Sequence, residues 1–342
     1  MEYCMEHKRF CAHKPFNGIY KIQMKDEKTV NIISGFLGAG KTTTVNALLS
    51  CPCDRKIDIV VREFGEISVD DQLVGLEKER IHTFFGVSTH VDQQTMLYNY
   101  LEGLYDRSDK HPFDHLLIET SGAESAENIV KMFFLPGLRE HYRLGAFITI
   151  VDGEYGRLNL KEFRVAREQL AFADVVVINK MDCTDAEEAE QLKREIRYIN
   201  PYAKLLLTSY GKLDPGEVME VLPYEQLCGI EAAEFKNGGD NAVEEFKSVS
   251  LKVKEPLDLE KANRWLVDLF DRYGNTILRG KGFFNIADSD YRFEFQSVRK
   301  TFHSKTSDLW ESEEEKQSIV VLIGTQLPDR AELQAGLEAC RK

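Results

Sequence analysis

Short apolar runs alternate with longer, more polar segments through the first two thirds of the chain. The runs are Val30 to Ile33, Ile57 to Val61, Leu116 to Ile118, Phe147 to Val151, Val175 to Ile178 and Leu205 to Leu207. Each segment between them is long enough to hold a helix, and continuous apolar strands separated by helices are typical of a parallel α/β sheet. We therefore predict a mostly parallel sheet with helices on both of its faces.

The pattern changes near residue 227. The segment Leu227 to Glu245 contains adjacent glycines, a composition that favours a linker. Beyond the linker, residues Phe246 to Val253, Tyr291 to Phe295 and Ile319 to Ile323 are predicted strands, and Leu257 to Tyr273 is a predicted helix. We predict an N-terminal arm (1–28), a first domain (29–226), a linker (227–245) and a smaller α+β domain (246–342).

A glycine-rich segment follows the first predicted strand and precedes a predicted helix. Gly35 to Thr42 reads GFLGAGKT and fits the P-loop pattern G-x-x-x-x-G-K-[ST]. Glycines let several backbone amides approach one triphosphate, the lysine reaches its β- and γ-phosphates, and the threonine hydroxyl coordinates Mg²⁺. The predicted phosphate-binding residues are Gly35, Gly38, Ala39, Gly40, Lys41, Thr42 and Thr43. The alternative is a glycine turn without a ligand.

A second motif indicates which base is bound. The apolar run Val175 to Ile178 leads directly into Asn179, Lys180, Met181 and Asp182, which fit N-K-x-D. The carboxylate of such an aspartate accepts hydrogen bonds from the N1–H and 2-amino groups of guanine, whereas adenine has neither donor at that edge. We predict GTP or GDP as the ligand, and the alternative is a polar turn at a strand end.

Composition narrows the remaining classes of function. The formal net charge of −13 disfavours nucleic acid or an anionic membrane as the main partner. Seven scattered cysteines argue against a disulfide framework. No apolar run approaches the roughly 18 residues of a membrane span, and the N-terminus lacks the apolar core of a signal peptide. We expect a cytoplasmic location.

The motifs together resemble one family. They are the P-loop, Glu63 to Glu66 (EFGE), Glu119 to Gly122 (ETSG), Asn179 to Asp182, and Ile277 to Gly282 with its R-x-K-G pattern. In combination they resemble the CobW-like GTPases, a branch of the P-loop proteins that includes several metallocentre assembly factors. The resemblance covers about Thr29 to Cys340. It implies slow GTP hydrolysis coupled to delivery of a metal or metal-containing cofactor to a client protein.

The resemblance also implies roles for individual residues. Glu119 and Gly122 occupy a Walker B-like position, and Glu63 to Glu66 lie in a switch region. The implied catalytic residues are Lys41, Glu63 and Glu119, and the implied ligands of Mg²⁺ or of a switch-region metal are Thr42, Glu119, Glu66 and Asp70. A solvated acidic loop is the alternative for the switch carboxylates. Arg62, where the family usually has asparagine, is expected to contact phosphate or to lie on the surface.

One family feature is different here. CobW-like chaperones usually carry a C-x-C-C motif after the switch, and the corresponding stretch of this chain is Gly86 to His90 (GVSTH), without cysteine. The usual metal-binding role therefore does not transfer to these positions. A separate candidate for Zn²⁺ or Co²⁺ is the set Cys4, His7, Cys11 and His13, because thiolate and imidazole suit such ions. The alternative is an N-terminal arm that binds no metal.

Two functional hypotheses follow. The first is a GTPase that acts as a metallochaperone, or as an activator of a client metalloenzyme or corrinoid protein. The second is a regulatory GTP-binding module with negligible turnover and no metal cargo. The sequence leaves open the client and whether GTP drives formation of a homodimer.

Overall fold

The computed structural model describes residues 27–51, 56–63, 80–85, 90–219, 227, 246–311 and 314–342 of the chain. Within these residues the strands form two sheets, one parallel and one antiparallel. No helix in the described ranges is both long and apolar enough to span a bilayer.

The first sheet is parallel. Its strands are β1 (Lys28–Gly35), β2 (Ile57–Glu63), β3 (Ile81–Phe85), β4 (His115–Glu119), β5 (Tyr142–Asp152), β6 (Val175–Asn179) and β7 (Lys204–Leu207). They lie in the order β3-β2-β4-β1-β5-β6-β7. The strand order reverses at β1, and ligands of open α/β sheets bind at such a reversal, beyond the carboxyl ends of the strands. We call this side of the sheet the nucleotide edge, and define it by the carboxyl ends of β1, β4, β5 and β6 with the loops that follow them.

Helices cover both faces of this sheet. They are α1 (Lys41–Ser50), α2 (His90–Asp106), α3 (Ala126–Met132), α4 (Leu138–His141), α5 (Gly156–Glu162), α6 (Arg164–Phe172), α7 (Ala186–Ile199) and α8 (Pro215–Met219). Val45 of α1 and Val218 of α8 pack in one apolar cluster, whereas Leu97 of α2, Leu170 of α6 and Leu192 of α7 pack in the cluster on the other face. Burial on both faces explains why the strands are continuous apolar runs.

The second sheet is antiparallel and carries helices on one face. Its elements are β8 (Lys247–Val253), α9 (Leu259–Tyr273), β9 (Ile277–Asn285), β10 (Tyr291–Val298), β11 (Thr301–Leu309), β12 (Ser318–Gly324) and α10 (Arg330–Glu338). The strand order is β11-β10-β9-β12-β8. Leu266 of α9 and Leu337 of α10 pack on one face. On the other face, Ile319 and Ile323 join the cluster that contains Leu170 of the first domain. The two domains therefore share an apolar interface.

Charged residues of β9 also reach that interface. Arg279 and Lys281 both bind the carboxylate of Asp174, which lies between α6 and β6; Arg279 Nη2 is 2.9 Å from Asp174 Oδ2. We call these three residues the interdomain seam. Gly280 and Gly282 alternate with them on the strand, and a Cβ there would lie 2.5 Å from Ser297 Oγ and 2.3 Å from Phe295 Cε1. Glycine thus allows close packing on one side of β9 while the charges point to the other.

The predicted fold class is confirmed: a parallel P-loop sheet with helices on both faces, followed by an α+β domain. The predicted helix from Leu257 begins two residues later, because the Asp258 side chain accepts from Lys261 N and caps it. Three strands, β3, β9 and β11, were not predicted. In β9 the glycines and charges of the R-x-K-G segment hide the strand pattern, although the structure buries the whole strand.

Candidate nucleotide site

The P-loop bends sharply between β1 and α1. Gly35, Gly38 and Gly40 have φ values of 142°, 76° and 95°, which residues with side chains rarely adopt. A Cβ on Gly35 would lie 2.2 Å from Ile150 O, and one on Gly40 would lie 2.3 Å from Asn179 Nδ2. Conformation and close approach together require glycine at these two positions, as the sequence motif indicated.

The loop ends at a helix terminus suited to an anion. Gly40 is the N-cap of α1, no side chain caps the helix, and its first turn contains no acidic residue. By contrast, the Asp185 carboxylate caps α7 through Glu187 N and Glu188 N. Lys41, the first residue of α1, donates from Nζ to Gly35 O at 3.0 Å. Backbone N–H groups, the helix dipole and the lysine ammonium therefore act together at this terminus to favour phosphate.

Thr42 and Glu119 meet beside the loop. Thr42 Oγ1 donates to Glu119 Oε1 at 2.7 Å, and Glu119 is 3% exposed at the end of β4. A hydroxyl and a carboxylate are oxygen donors of the kind that Mg²⁺ prefers. Gly122 follows closely, and a Cβ on it would lie 2.7 Å from Leu37 N. The segment after Glu119 is thus packed directly against the P-loop.

Asn179 links the two nucleotide motifs. Its buried side chain donates from Nδ2 to Ala39 O and accepts from Gly211 N at Oδ1, both at 3.0 Å. Gly211 has a φ of 67°, and a Cβ there would lie 2.5 Å from Thr44 Cα. The contacts of Asn179 therefore fasten the P-loop to the segment that follows β7.

Lys180 and Asp182 lie on the turn after β6. Lys180 adopts a left-handed conformation, and its Nζ is 2.7 Å from Asp152 Oδ2. The exposed Asp182 carboxylate is hydrogen-bonded by its own backbone N–H, by Ser209, by Tyr210 and by the Cys183 thiol, and these bonds lower its pKa. An ionised carboxylate is the acceptor that the two donors of guanine require.

The segment Ser209 to Gly211 was missed as part of the site by sequence reasoning. Besides the contact of Gly211 with Asn179, Ser209 Oγ accepts from Asp182 N at 3.1 Å. A usable signal was present, because Thr208 to Gly211 (TSYG) directly follows the last apolar run of the parallel sheet. Its contacts, however, depend on residues about thirty positions earlier in the chain.

The expectation that Arg62 lies on the surface was wrong, and contact with phosphate stays a prediction. Its guanidinium forms an ion pair with Glu124, and both side chains are only 8% exposed. Successive strand residues face opposite sides of a sheet, and the preceding Val61 packs in the apolar cluster that includes Val45 of α1. Arg62 therefore points to the face away from α1, where it pairs with the segment after Glu119 rather than with solvent.

The predicted metal-binding residues are mostly untested. Glu63 ends β2, and only its backbone is described. Glu66, Asp70, Cys4, His7, Cys11 and His13 lie outside the described residues, as does most of the stretch Gly86 to His90. Within the described ranges, no group of three or more His, Cys, Asp or Glu side chains is placed to hold a metal ion.

Comparison with known proteins identifies the family. The nucleotide-binding domain of CobW/HypB/UreG matches residues 29–207, and the cobalamin synthesis protein CobW C-terminal domain matches residues 246–341. The chain is 30% identical to the zinc chaperone YjiA of Escherichia coli, with 92% of this chain and 98% of that protein covered. It is 24% identical to the zinc-regulated GTPase metalloprotein activator 1 of Dictyostelium discoideum, over 79% and 66% of the two chains.

A solved structure agrees in fold. The crystal structure of Zn(II)-bound YjiA GTPase from E. coli superposes with a TM-score of 0.64 at 28% identity, covering 92% of this chain and 99% of that one. The match to YjiA covers both domains, and each domain also matches its own family model. The chain belongs to the CobW/HypB/UreG family and is a GTPase.

Proposed function

We propose that this chain couples GTP binding and hydrolysis to the supply of a divalent metal, zinc above all, to a client metalloprotein. The main support for the proposal is that the nucleotide edge carries both the P-loop and the N-K-x-D motif and is joined to a CobW-type second domain. Support comes from two relatives, one named a zinc chaperone and the other a zinc-regulated GTPase metalloprotein activator.

In this proposal the nucleotide edge binds GTP with Mg²⁺. Lys41 and the P-loop amides bind the β- and γ-phosphates, and Asp182 binds guanine. The Thr42 hydroxyl and the Glu119 carboxylate, 2.7 Å apart, fit Mg²⁺ by their donor type. When bound, Mg²⁺ neutralises charge on the phosphate oxygens. Glu119 and Glu63 then lie at the ends of neighbouring strands where the terminal phosphate would be.

We propose that Asn179 and Lys180 act mainly on the protein side of this site. The two hydrogen bonds of Asn179 hold the P-loop and the segment after β7 at a constant separation. Lys180 is fixed by the buried carboxylate of Asp152, so the turn carrying Asp182 is fixed with it. Guanine would therefore bind to a site that is preorganised before the nucleotide arrives.

We propose two alternative modes of zinc supply, which differ in whether this chain or another protein binds the zinc ion. In the carrier mode, Cys4, His7, Cys11 and His13 bind zinc, since two thiolates and two imidazoles match a tetrahedral zinc site. In the activator mode this chain holds no zinc, and contact with the client in the GTP state is the output. We choose the N-terminal set for the test because it combines thiolate with imidazole, whereas the switch candidates Glu66 and Asp70 offer only carboxylates.

The deciding experiment measures zinc per chain in the full-length protein, with GTP and Mg²⁺ and with GDP and Mg²⁺. The carrier mode predicts about one zinc ion in one nucleotide state and its loss in the double variant Cys4→Ser, Cys11→Ser. Cys340→Ser is the control, because Cys340 lies in the second domain, where its thiol donates to Gly336 O.

Two other outcomes of the zinc measurement would decide between the activator mode and a regulatory module. No zinc in either state, together with GTP hydrolysis that a zinc-dependent client accelerates, would establish the activator mode. Hydrolysis that is indifferent to zinc and to every metalloprotein client would overturn the proposal and favour a regulatory module.

A further inference from the structure

Helix α6 contributes a buried amide to the segment that follows Glu119. The Gln169 side chain is 0% exposed, and its Nε2 donates to Gly122 O at 3.2 Å and to Glu124 O at 3.1 Å. Only the nitrogen side of an amide can donate to two carbonyl oxygens, so the amide has one allowed orientation. One side chain thus fixes two carbonyls of the same loop.

The loop that Gln169 holds lies next to the phosphate-binding residues. It begins directly after Glu119, whose carboxylate accepts from Thr42, and Gly122 packs against Leu37 of the P-loop. Backbone donors of this loop can reach a terminal phosphate only if the loop keeps its place. The two hydrogen bonds of Gln169 are therefore positioned to set the geometry around the reacting phosphate.

Gln169 is itself held from several sides. Thr149 Oγ1 of the central sheet donates to Gln169 O at 2.8 Å, and the adjacent Glu168 accepts a hydrogen bond from Ser125 Oγ. At the beginning of the helix, the ring of Phe163 stacks on Phe36 of the P-loop with centroids 4.5 Å apart. The helix is thus in contact with both the P-loop and the loop after Glu119.

We propose that Gln169 is a positioning residue for GTP hydrolysis. It holds the loop from Gly122 to Ser125 so that the terminal phosphate, Glu119 and the P-loop meet in one reactive geometry. Its contribution is confined to GTP, because GDP lacks the phosphate beside which this loop lies.

The first test replaces the donor and keeps the size: Gln169→Met. Saturating hydrolysis (kcat) should fall about 10- to 100-fold, the range expected when a reacting group is displaced by about 1 Å. GDP affinity should stay within about twofold of wild type, and the affinity for a non-hydrolysable GTP analogue should fall. Gln191→Met is the matched control, because the Gln191 side chain donates to Glu187 of its own helix α7.

A second variant separates positioning from mere packing. In Gln169→Glu, an ionised carboxylate would repel the two carbonyl oxygens, whereas its protonated form donates one hydrogen bond to them. Burial raises the pKa of such a carboxyl group. The ratio of kcat for Gln169→Glu to kcat for Gln169→Met should therefore rise as the pH is lowered from 8 to 6.

Two results would overturn the proposal. The first is a wild-type kcat in Gln169→Met, and the second is an equal loss of GDP and GTP affinity, which would show that the variant only loosens the fold. A pH-independent ratio of the two variants would also contradict it. None of these measurements involves zinc or a client, so the proposal can fail while the proposed function stands.

Discussion

The nucleotide edge and the interdomain seam both bring charged side chains together, but they do so by opposite means. At the edge, the charges lie at the ends of strands and at the start of α1, beside loops whose backbone is bent into left-handed conformations. These conformations occur at Gly38, Gly40, Lys180 and Gly211. At the seam, Asp174 stands at the start of a strand, and Arg279 and Lys281 lie within another strand that is buried throughout. The edge uses irregular backbone, whereas the seam uses regular backbone.

The difference in backbone reflects a difference in ligand. The nucleotide edge must present N–H groups, an ammonium and a carboxylate to an incoming nucleotide. Its polar groups therefore cannot all be hydrogen-bonded to other groups of the protein. At the seam, in contrast, the polar groups bind each other. Asp174 accepts hydrogen bonds from Phe147 N, Arg279 and Lys281. Burial raises the pKa of Asp174, but the two cations outweigh that effect, so its pKa lies below the ordinary value.

The largest predicted change in unfolding free energy follows from a substitution in the interdomain seam. Asp174→Ala leaves two buried cations without their carboxylate, and such a loss costs about 3–5 kcal/mol of unfolding free energy. Urea unfolding followed by circular dichroism measures it. Glu315→Ala is the control, because the exposed pair of Glu315 with Lys254 is worth no more than about 1 kcal/mol. Equal losses in the two variants would show that the seam is no stronger than a surface pair.

At the edge, Lys41→Ala should lower GTP affinity by about 100-fold or more, because an ammonium–phosphate contact is lost. Lys41 donates from Nζ to Gly35 O and Phe36 O of the loop that precedes it, and we expect the Lys41→Ala variant to keep its fold. Titration calorimetry with Mg²⁺ measures the affinity, with the exposed Lys56→Ala as control. Unchanged GTP affinity in Lys41→Ala would refute the phosphate site.

Asp182→Asn should change which base is bound rather than the fold. We expect GTP affinity to fall about tenfold and xanthosine triphosphate to become a competitor, because the amide presents a donor where guanine needs an acceptor. Asp185→Asn is the control, since it makes the same charge change three residues away and keeps a side-chain cap on α7. Exclusive binding of GTP by the Asp182 variant would contradict the assignment.

Communication between the two regions is the next test. Arg279→Met leaves Asp174 with Lys281, so one carboxylate still faces one cation. Because Asp174 lies two residues beyond the end of α6, which carries Gln169, we expect kcat for GTP to fall about 2- to 30-fold, the range for a distant coupled site, with GDP affinity unchanged. Arg272→Met, on the exposed face of α9, is the control. A wild-type kcat would show that the seam does not influence the edge.

The last effect concerns the pH dependence of stability rather than the loss of a contact. Burial, with the charges of Arg139 and Lys305, lowers the pKa of His303 to about 4. Between pH 6.5 and 4 the unfolded chain therefore binds more protons than the folded one, and stability falls as the pH is lowered. His303→Gln should remove that contribution, which is at most about 1.4 kcal/mol per pH unit. Urea midpoints across this range measure it, with the exposed His111→Gln unchanged; identical slopes would contradict the prediction.

Sequence reasoning succeeded where residues that act together are close in the chain. The P-loop occupies eight consecutive positions, the guanine motif four, and the apolar runs marked six of the seven strands of the parallel sheet. It failed for Arg62, whose partner Glu124 is 62 positions away, and for Asp174, 105 positions from Arg279. Neither pair leaves a local pattern, because a single charged residue in an apolar segment does not identify its partner.

The sequence by itself determined the fold class, the phosphate loop and the choice of guanine, because glycine conformation, strand periodicity and short-range hydrogen bonding are local properties. Only the tertiary structure decided that Asn179 joins the P-loop to Gly211, that Gln169 holds the loop after Glu119, and that Arg279 and Lys281 close the seam on Asp174. These contacts depend on how helices and strands stack in space. Their energy arises from burial of charges and amides that are adjacent only after folding.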